Sequence, residues 1–110
     1  MSRQWLTDLE LMLLLAILRI GDEAYGVPIA REVHETAGRE IALAVVYATL
    51  DRLEARGLVS SSLGDPTPQR GGRAKRFFRL TAKGVRETRA TCGALSALWR
   101  GVPEMKGVST

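Results

Sequence analysis

The chain has 110 residues, of which 45% are hydrophobic and 25% are charged, a composition typical of one globular domain with a modest core. Its single cysteine and single histidine exclude an intramolecular disulfide and the usual zinc site built from Cys and His. No nucleophile with a base, phosphate-binding glycine loop or carboxylate cluster stands at a spacing typical of catalysis, so we expect neither an enzyme nor a cofactor.

The first predicted helix begins after Thr7, which forms a capping box with Glu10. Nearly every position from Leu9 to Ile20 is apolar, so the helix needs packing partners on more than one side, within the chain or in a second subunit. Gly21 ends the run, which is too short to cross a membrane and lacks the flanks of a secretory signal. We therefore expect a cytoplasmic protein with no membrane partner.

Two more helices are predicted from the positions of proline, glycine and apolar residues. The second has Pro28 in its first turn and ends at Gly38. Residues 39–45 include aliphatic and β-branched side chains and predict a brief extended stretch before a third helix over about residues 44–56. The buried stripe of that third helix consists of Val46, Leu50 and Leu53.

The periodicity changes in the second half of the chain. Residues 58–63 and 75–80 are β-compatible runs that flank a segment rich in Pro and Gly, and together they predict a β-hairpin. Thr81 caps a last helix over residues 82–100, and residues 101–110 are expected to form a flexible tail.

Three short helices followed by a hairpin is the element order of a winged helix-turn-helix. The predicted fold class is therefore mainly α with a small β-hairpin. In this fold the third helix can enter the major groove of DNA, while the hairpin, or wing, lies along the DNA backbone. We assign residues 1–80 to this predicted DNA-binding domain.

Positive charge is concentrated in the second half of the chain. Residues 70–89 carry eight Lys or Arg residues against the single acid Glu87, whereas residues 1–50 carry four bases and seven acids. Four side chains of the third helix are expected to project away from its buried stripe: Val45, Thr49, Arg52 and Arg56. The hairpin adds four cations: Arg70, Arg73, Lys75 and Arg76. Since duplex DNA displays one phosphate charge per roughly 1.7 Å of its axis, these eight residues predict an interface with double-stranded DNA.

Three segments, YGVPIAREV, VVYATLDRLEARGLV and GGRAKRFFRLTAKG, resemble signature segments of the PadR family of bacterial transcriptional regulators, over roughly residues 6–99. The resemblance implies a regulator, expected to be a repressor, that binds an inverted-repeat operator as a homodimer. Tyr47 matches a tyrosine of the family's recognition helix, where it either contacts DNA through its hydroxyl or packs beside the core. Tyr25 is expected to pack between helices, and Glu54 to pair with a base elsewhere in the fold.

The same resemblance implies that residues 81–100 form a C-terminal dimerisation helix. The chain resembles the short members of the family, so the first helix is expected to share the subunit contact. The expected interface residues are Leu11, Leu14, Leu15, Val85, Cys92, Leu95 and Trp99. Trp5 and Trp99 allow two interpretations: they stack a small aromatic effector, or they fill the core or the subunit contact, which we favour.

Two other functions use the same features of the sequence. A winged-helix protein-interaction module would dock an acidic partner protein through the basic hairpin. A small-molecule carrier would use Trp99. Binding to random duplex DNA that weakens steeply as salt rises distinguishes a DNA-binding protein from the interaction module. Tryptophan quenching by aromatic compounds in the absence of DNA would indicate the carrier.

Overall fold

The structure, a computed structural model, describes residues 4–64 and 74–107. Its elements in chain order are α1 (Asp8–Ile20), α2 (Gly26–Ala37), α3 (Leu43–Ala55), β1 (Val59–Leu63), β2 (Arg76–Leu80), α4 (Ala82–Trp99) and a 3-10 turn (Pro103–Met105). The two strands pair antiparallel, with Val59 opposite Leu80 and Leu63 opposite Arg76. The predicted mainly α class with a β-hairpin is confirmed.

α2 begins at Gly26, so Pro28 lies in its first turn as predicted. The brief extended stretch expected over residues 39–45 forms no strand, because Leu43 already begins α3. In the predicted tail, Pro103–Met105 forms a single 3-10 turn.

α1 is the central helix of the protomer and contacts α2, α3, α4 and β2. Its first turn is held by the predicted capping box: the Thr7 hydroxyl accepts from the Glu10 amide at 3.2 Å, and the Glu10 carboxylate accepts from the Thr7 amide at 2.8 Å. The additional packing partners that its apolar sequence requires come largely from the same chain. The expected place of Leu14 at a subunit contact is wrong, because its side chain is fully enclosed in the core of the protomer.

The second strand of the hairpin is bonded to the turn between α1 and α2. Phe78, in the middle of β2, is buried, and its amide donates to the carbonyl of Ala24 in the turn between α1 and α2 at 2.8 Å. At the other end of the hairpin, the Gly64 amide donates to the Lys75 carbonyl at 2.8 Å and closes the strand ladder. The wing is thus fixed to the helical body by backbone bonding as well as by packing.

α4 begins where the end of α3 leads into β1. The Thr81 hydroxyl accepts from the Gly84 amide at 3.0 Å and donates to the Gly57 carbonyl at 2.6 Å, so the predicted N-cap is confirmed. A Cβ atom on Gly84 would lie 2.0 Å from the carbonyl oxygen of Leu58. The first turn of α4 therefore approaches the backbone so closely that only glycine fits.

Candidate nucleic-acid interface

The third helix has one buried side and one side that the described part of the chain leaves uncovered. Val46, Leu50 and Leu53 are fully buried, as their spacing predicts. The exposed positions are apolar near the start of the helix and include two charged side chains further on: Leu43, Ala44, Val45, Ala48, Asp51, Arg52 and Ala55. The helix therefore presents methyl groups and the Arg52 guanidinium to the solvent, while the exposed Asp51 carboxylate pairs with Arg76 of β2.

The N-terminus of α3 lacks a side-chain cap. Its N-cap residue is Ala42, which has no hydroxyl or carboxylate to accept from the first amides of the helix. The Val45 amide is satisfied within the chain, since it donates to the Ala42 carbonyl at 3.0 Å. Uncapped amides at a helix N-terminus are donors suited to an anionic oxygen, such as that of a phosphate.

Thr49 does not project outward, and the expectation that it does is wrong. Its side chain is fully buried, and its hydroxyl donates to the Val45 carbonyl at 2.7 Å. The same hydroxyl accepts from the Arg52 guanidinium at 3.3 Å. Thr49 lies three residues after Val46 and four before Leu53, which places it inside the buried arc. Thr49 therefore contributes to the orientation of Arg52 through its hydrogen bond with the guanidinium.

Arg56 is also turned away from the expected interface. Its guanidinium forms an ion pair with Glu10 of α1 at 3.0 Å and donates to the Gln4 carbonyl at 3.3 Å. Both partners of the ion pair are largely buried. The Glu10 carboxylate thus caps α1 with one oxygen and binds the end of α3 with the other. The outward orientation predicted for Arg56 is wrong because α1 supplies a carboxylate that sequence spacing alone does not place nearby.

Arg76 is the base that pairs with Glu54, and this part of the prediction is confirmed. The Arg76 guanidinium forms ion pairs with Glu54 and, at 2.8 Å, with Asp51, both on α3. It also donates to the Ser61 hydroxyl at 3.2 Å. The hydrogen bond from Ser61, together with Arg76, lowers the pKa of the Glu54 carboxyl below its ordinary value. Arg76 therefore joins the wing to α3, and because two acids of the same protomer pair with its guanidinium, it is poorly placed as a free cation for DNA.

The two tyrosines pack against the wing. Tyr47 is half-buried with its ring centroid 6.4 Å from that of Phe78. A Cβ atom on Gly26 would lie 2.3 Å from the Tyr47 hydroxyl, so the ring covers the start of α2. This arrangement corresponds to the packing interpretation of Tyr47, and Gly26 leaves room for the ring.

Tyr25 contacts the hairpin, whereas the sequence indicates packing between helices. Its ring meets the ring of Phe77 edge to face, with centroids 5.7 Å apart. The Lys75 ammonium lies 4.4 Å from the Tyr25 ring centroid, a cation–π distance. Arg70 and Arg73 lie outside the described residues, so their expected DNA contacts stay predictions.

A second surface, made by α1, α4 and the residues before α1, is apolar. Three of its leucines, Leu11, Leu15 and Leu95, are expected interface residues, and they line a groove of about 630 Å³ together with Trp5 and Leu98. Leu98 is not among the expected interface residues, although Thr91, Leu95 and Leu98 recur at helical spacing and all three line the groove. We call this surface the α1–α4 groove.

The remaining expected interface residues are less exposed. Val85, Cys92 and Trp99 are half-buried within the protomer, whereas Trp5 is exposed. The core of the protomer therefore encloses neither tryptophan. Within residues 4–64 and 74–107, no helix is long and apolar enough to cross a membrane. The same residues contain no cluster of His, Cys, Asp and Glu placed to hold a metal ion.

Comparisons with known proteins identify the family. Residues 14–90 match the family model described as "Transcriptional regulator PadR-like family". Among solved structures, a PadR-like transcriptional regulator from Bacillus cereus superimposes with a TM-score of 0.70 at 17% identity, covering 92% of this chain and 93% of the other. A PadR family regulator from Eggerthella lenta gives 0.67 at 24% identity, with 92% and 89% covered.

A third structure, a transcriptional regulator from Clostridium thermocellum, gives a TM-score of 0.69 at 20% identity and covers 88% of this chain and 91% of its own. A search of curated proteins finds no match. The structural likenesses establish the fold, and the family match, which spans most of the chain, establishes a DNA-binding transcription regulator rather than an enzyme. The chain therefore belongs to the PadR-like family of transcriptional regulators.

Proposed function

We propose that the chain is a homodimeric repressor that binds an inverted-repeat operator, with α3 of each protomer in a major groove. The observation that carries this proposal is the exposed side of α3, which includes Arg52 and has no covering element among the described residues. The major groove is wide enough to admit one α-helix, and its base edges offer both hydrogen-bond acceptors and thymine methyl groups. Blocking a promoter by occupying it would then repress transcription in the cytoplasm.

The proposed contacts divide by chemistry. Arg52 is the side chain suited to two hydrogen bonds with a guanine, whereas Val45 and the neighbouring alanines suit thymine methyl groups. The uncapped amides at the start of α3 suit a phosphate. In the wing, Lys75, Arg70 and Arg73 supply positive charge for the flanking backbone. Thr49, Arg56 and Arg76 are left out of this contact set because their polar atoms are bonded within the protomer.

The proposed dimer uses the α1–α4 groove. An apolar groove of about 630 Å³ that includes Leu95 and Leu98 is the kind of surface that a second copy covers. A two-fold axis through such a contact would present two copies of α3 to one face of the duplex. Half-sites about ten base pairs apart, centre to centre, then follow from the helical repeat of DNA.

The test is a fluorescence anisotropy titration of purified protein with random duplex and with genomic fragments selected for tight binding. We expect roughly micromolar binding to random duplex at low salt, which weakens steeply as salt rises, and an inverted repeat among the selected fragments. Arg52→Ala should weaken operator binding by about 1–3 kcal/mol and remove the preference at one base pair.

Arg86→Ala is the matched control, because Arg86 is an exposed arginine on α4. It should leave the base preference unchanged. A protein that binds an acidic partner through its wing, the competing function, would ignore random duplex at every salt concentration. That result would overturn the proposal, as would an Arg52→Ala variant that keeps the full operator preference.

A further inference from the structure

One cluster of charged and polar side chains joins α3 to both strands of the wing. Arg76, the first residue of β2, reaches three groups at once: Asp51 at 2.8 Å, the Ser61 hydroxyl at 3.2 Å, and Glu54. Its guanidinium also lies 4.8 Å from the centroid of the Phe78 ring, which supports it from within the core. An arginine held in this way has its orientation fixed by four neighbours.

Glu54 completes the link through the other strand. Its carboxylate accepts from the Ser61 amide at 3.1 Å and from the Ser61 hydroxyl at 2.8 Å. Ser61 is the central residue of β1 and lies opposite Phe78 in the ladder. A single carboxylate on α3 therefore bonds to the backbone of one wing strand and to the arginine of the other. Charge-assisted hydrogen bonds of this type are among the stronger polar contacts in proteins.

We infer that Glu54 and Arg76 are positioning residues, which set the angle of the wing relative to α3 and so determine operator preference without touching DNA. The inference rests on the proposed function, in which α3 and the wing contact the same duplex. Because α3 and the wing must fit the same stretch of DNA, a wing whose angle to α3 varies loses contacts at one end of the half-site. Binding to random DNA, which depends on charge rather than register, is affected much less.

The direction in which one substitution changes operator affinity distinguishes a positioning role from a simple effect of charge. Glu54→Gln removes a negative charge next to the proposed interface, and charge alone predicts tighter binding to any duplex. A positioning role predicts weaker binding to the operator. The glutamine amide keeps the shape of the carboxylate but loses the negative charge that strengthens its contacts with Arg76 and Ser61. We expect the ratio of operator to random affinity to fall at least about fivefold, the equivalent of one lost base contact.

Arg76→Lys provides a second variant that does not depend on the first one folding. It keeps the positive charge but replaces the planar fork with a single ammonium, which cannot reach Asp51, Glu54 and Ser61 together. Positioning predicts a similar loss of operator preference with an unchanged salt dependence. A direct phosphate contact by Arg76 predicts no change in either quantity.

The experiment compares both variants with wild type and with Glu35→Gln, which removes an exposed acid on α2. Anisotropy gives the operator and random affinities, and hydrogen exchange in the free protein reports the Ser61 amide, whose acceptor is Glu54. The inference is supported if both variants lose operator preference and exchange the Ser61 amide proton faster than wild type does. The Glu35→Gln control should match wild type in both measurements. It is overturned if either folded variant keeps the wild-type preference. A wild-type protein that binds no duplex would instead refute the proposed function, and the two failures are therefore distinguishable.

Discussion

Thr49 lies in the buried arc of α3 beside Val46, Leu50 and Leu53. Strongly apolar residues at helical spacing identify the buried side of a helix, whereas threonine is compatible with either side. Inside the protein its hydroxyl is satisfied by the Val45 carbonyl, four residues earlier, so burial leaves no unpaired donor.

Replacement of Thr49 tests whether it orients Arg52. Thr49→Val keeps the shape of the side chain but removes the hydroxyl that accepts from Arg52, so we expect a change in the free energy of unfolding of about 1 kcal/mol or less. The preference for the base pair read by Arg52 should weaken, because the guanidinium loses a fixed support. Thr49→Ser is the matched control, since it retains the hydroxyl.

The measurements are urea denaturation and anisotropy against duplexes altered at each base pair in turn. Equal base preference in the valine and serine variants would show that Arg52 does not depend on Thr49.

The elements were predictable where their signals are local, and less so where two elements meet. Thr7 and Thr81 cap their helices as the sequence predicts, because a cap needs only residues within one turn. The partners of Glu10 and Glu54 lie far along the chain, so spacing could suggest that Glu54 has a partner but could not identify it as Arg76. The closeness of Gly84 to the Leu58 carbonyl is likewise visible only in three dimensions.

Two glycines of α4 give a paired test of how this helix docks. Gly84→Ala places a methyl group against the Leu58 carbonyl, at 2.0 Å before any shift, so we expect overpacking to destabilise the fold by about 1–3 kcal/mol. Gly93→Ala, in the same helix, meets nothing within 4 Å in the protomer. It should be neutral or stabilising by about 0.5–1 kcal/mol, because alanine favours helix over glycine.

Urea unfolding followed by circular dichroism gives both free energies. If the two alanines had the same effect, the close approach of α4 to the end of α3 would not contribute to stability.

The distribution of charge over the protein was predicted only in part. The count of bases in residues 70–89 is a property of the sequence, but whether each base is free depends on the acids that the fold brings to it. Arg56 forms an ion pair with an acid of α1, and Arg76 forms ion pairs with acids of α3, whereas Arg52 forms no ion pair within the described residues. The family and the fold were predictable because they depend on element order and motif, and the free surface charge was not.

Leu98 tests the proposed assembly of two protomers. It is 76% exposed in the protomer and lines the α1–α4 groove, so Leu98→Asp should introduce a charge into the subunit contact and shift the protein from dimer to monomer. Operator affinity should fall with it, because two half-sites are then no longer bound together. Leu63→Asp, at nearly equal exposure, 74%, in the hairpin, is the control for the sedimentation measurement only, because the hairpin is itself proposed to contact DNA.

Sedimentation velocity measures the mass of each variant directly. A Leu98→Asp protein that sediments as wild type does would place the subunit contact elsewhere.

The bond from Gly64 to Lys75 extends the strand ladder one step beyond Leu63 and Arg76. The bonds that join the described part of the wing to the helices, from the Ala24 carbonyl to the acids of α3, lie on the helical side of that step. Loss of the Gly64–Lys75 bond would therefore shorten the ladder but leave the wing attached to the helices through both of its strands.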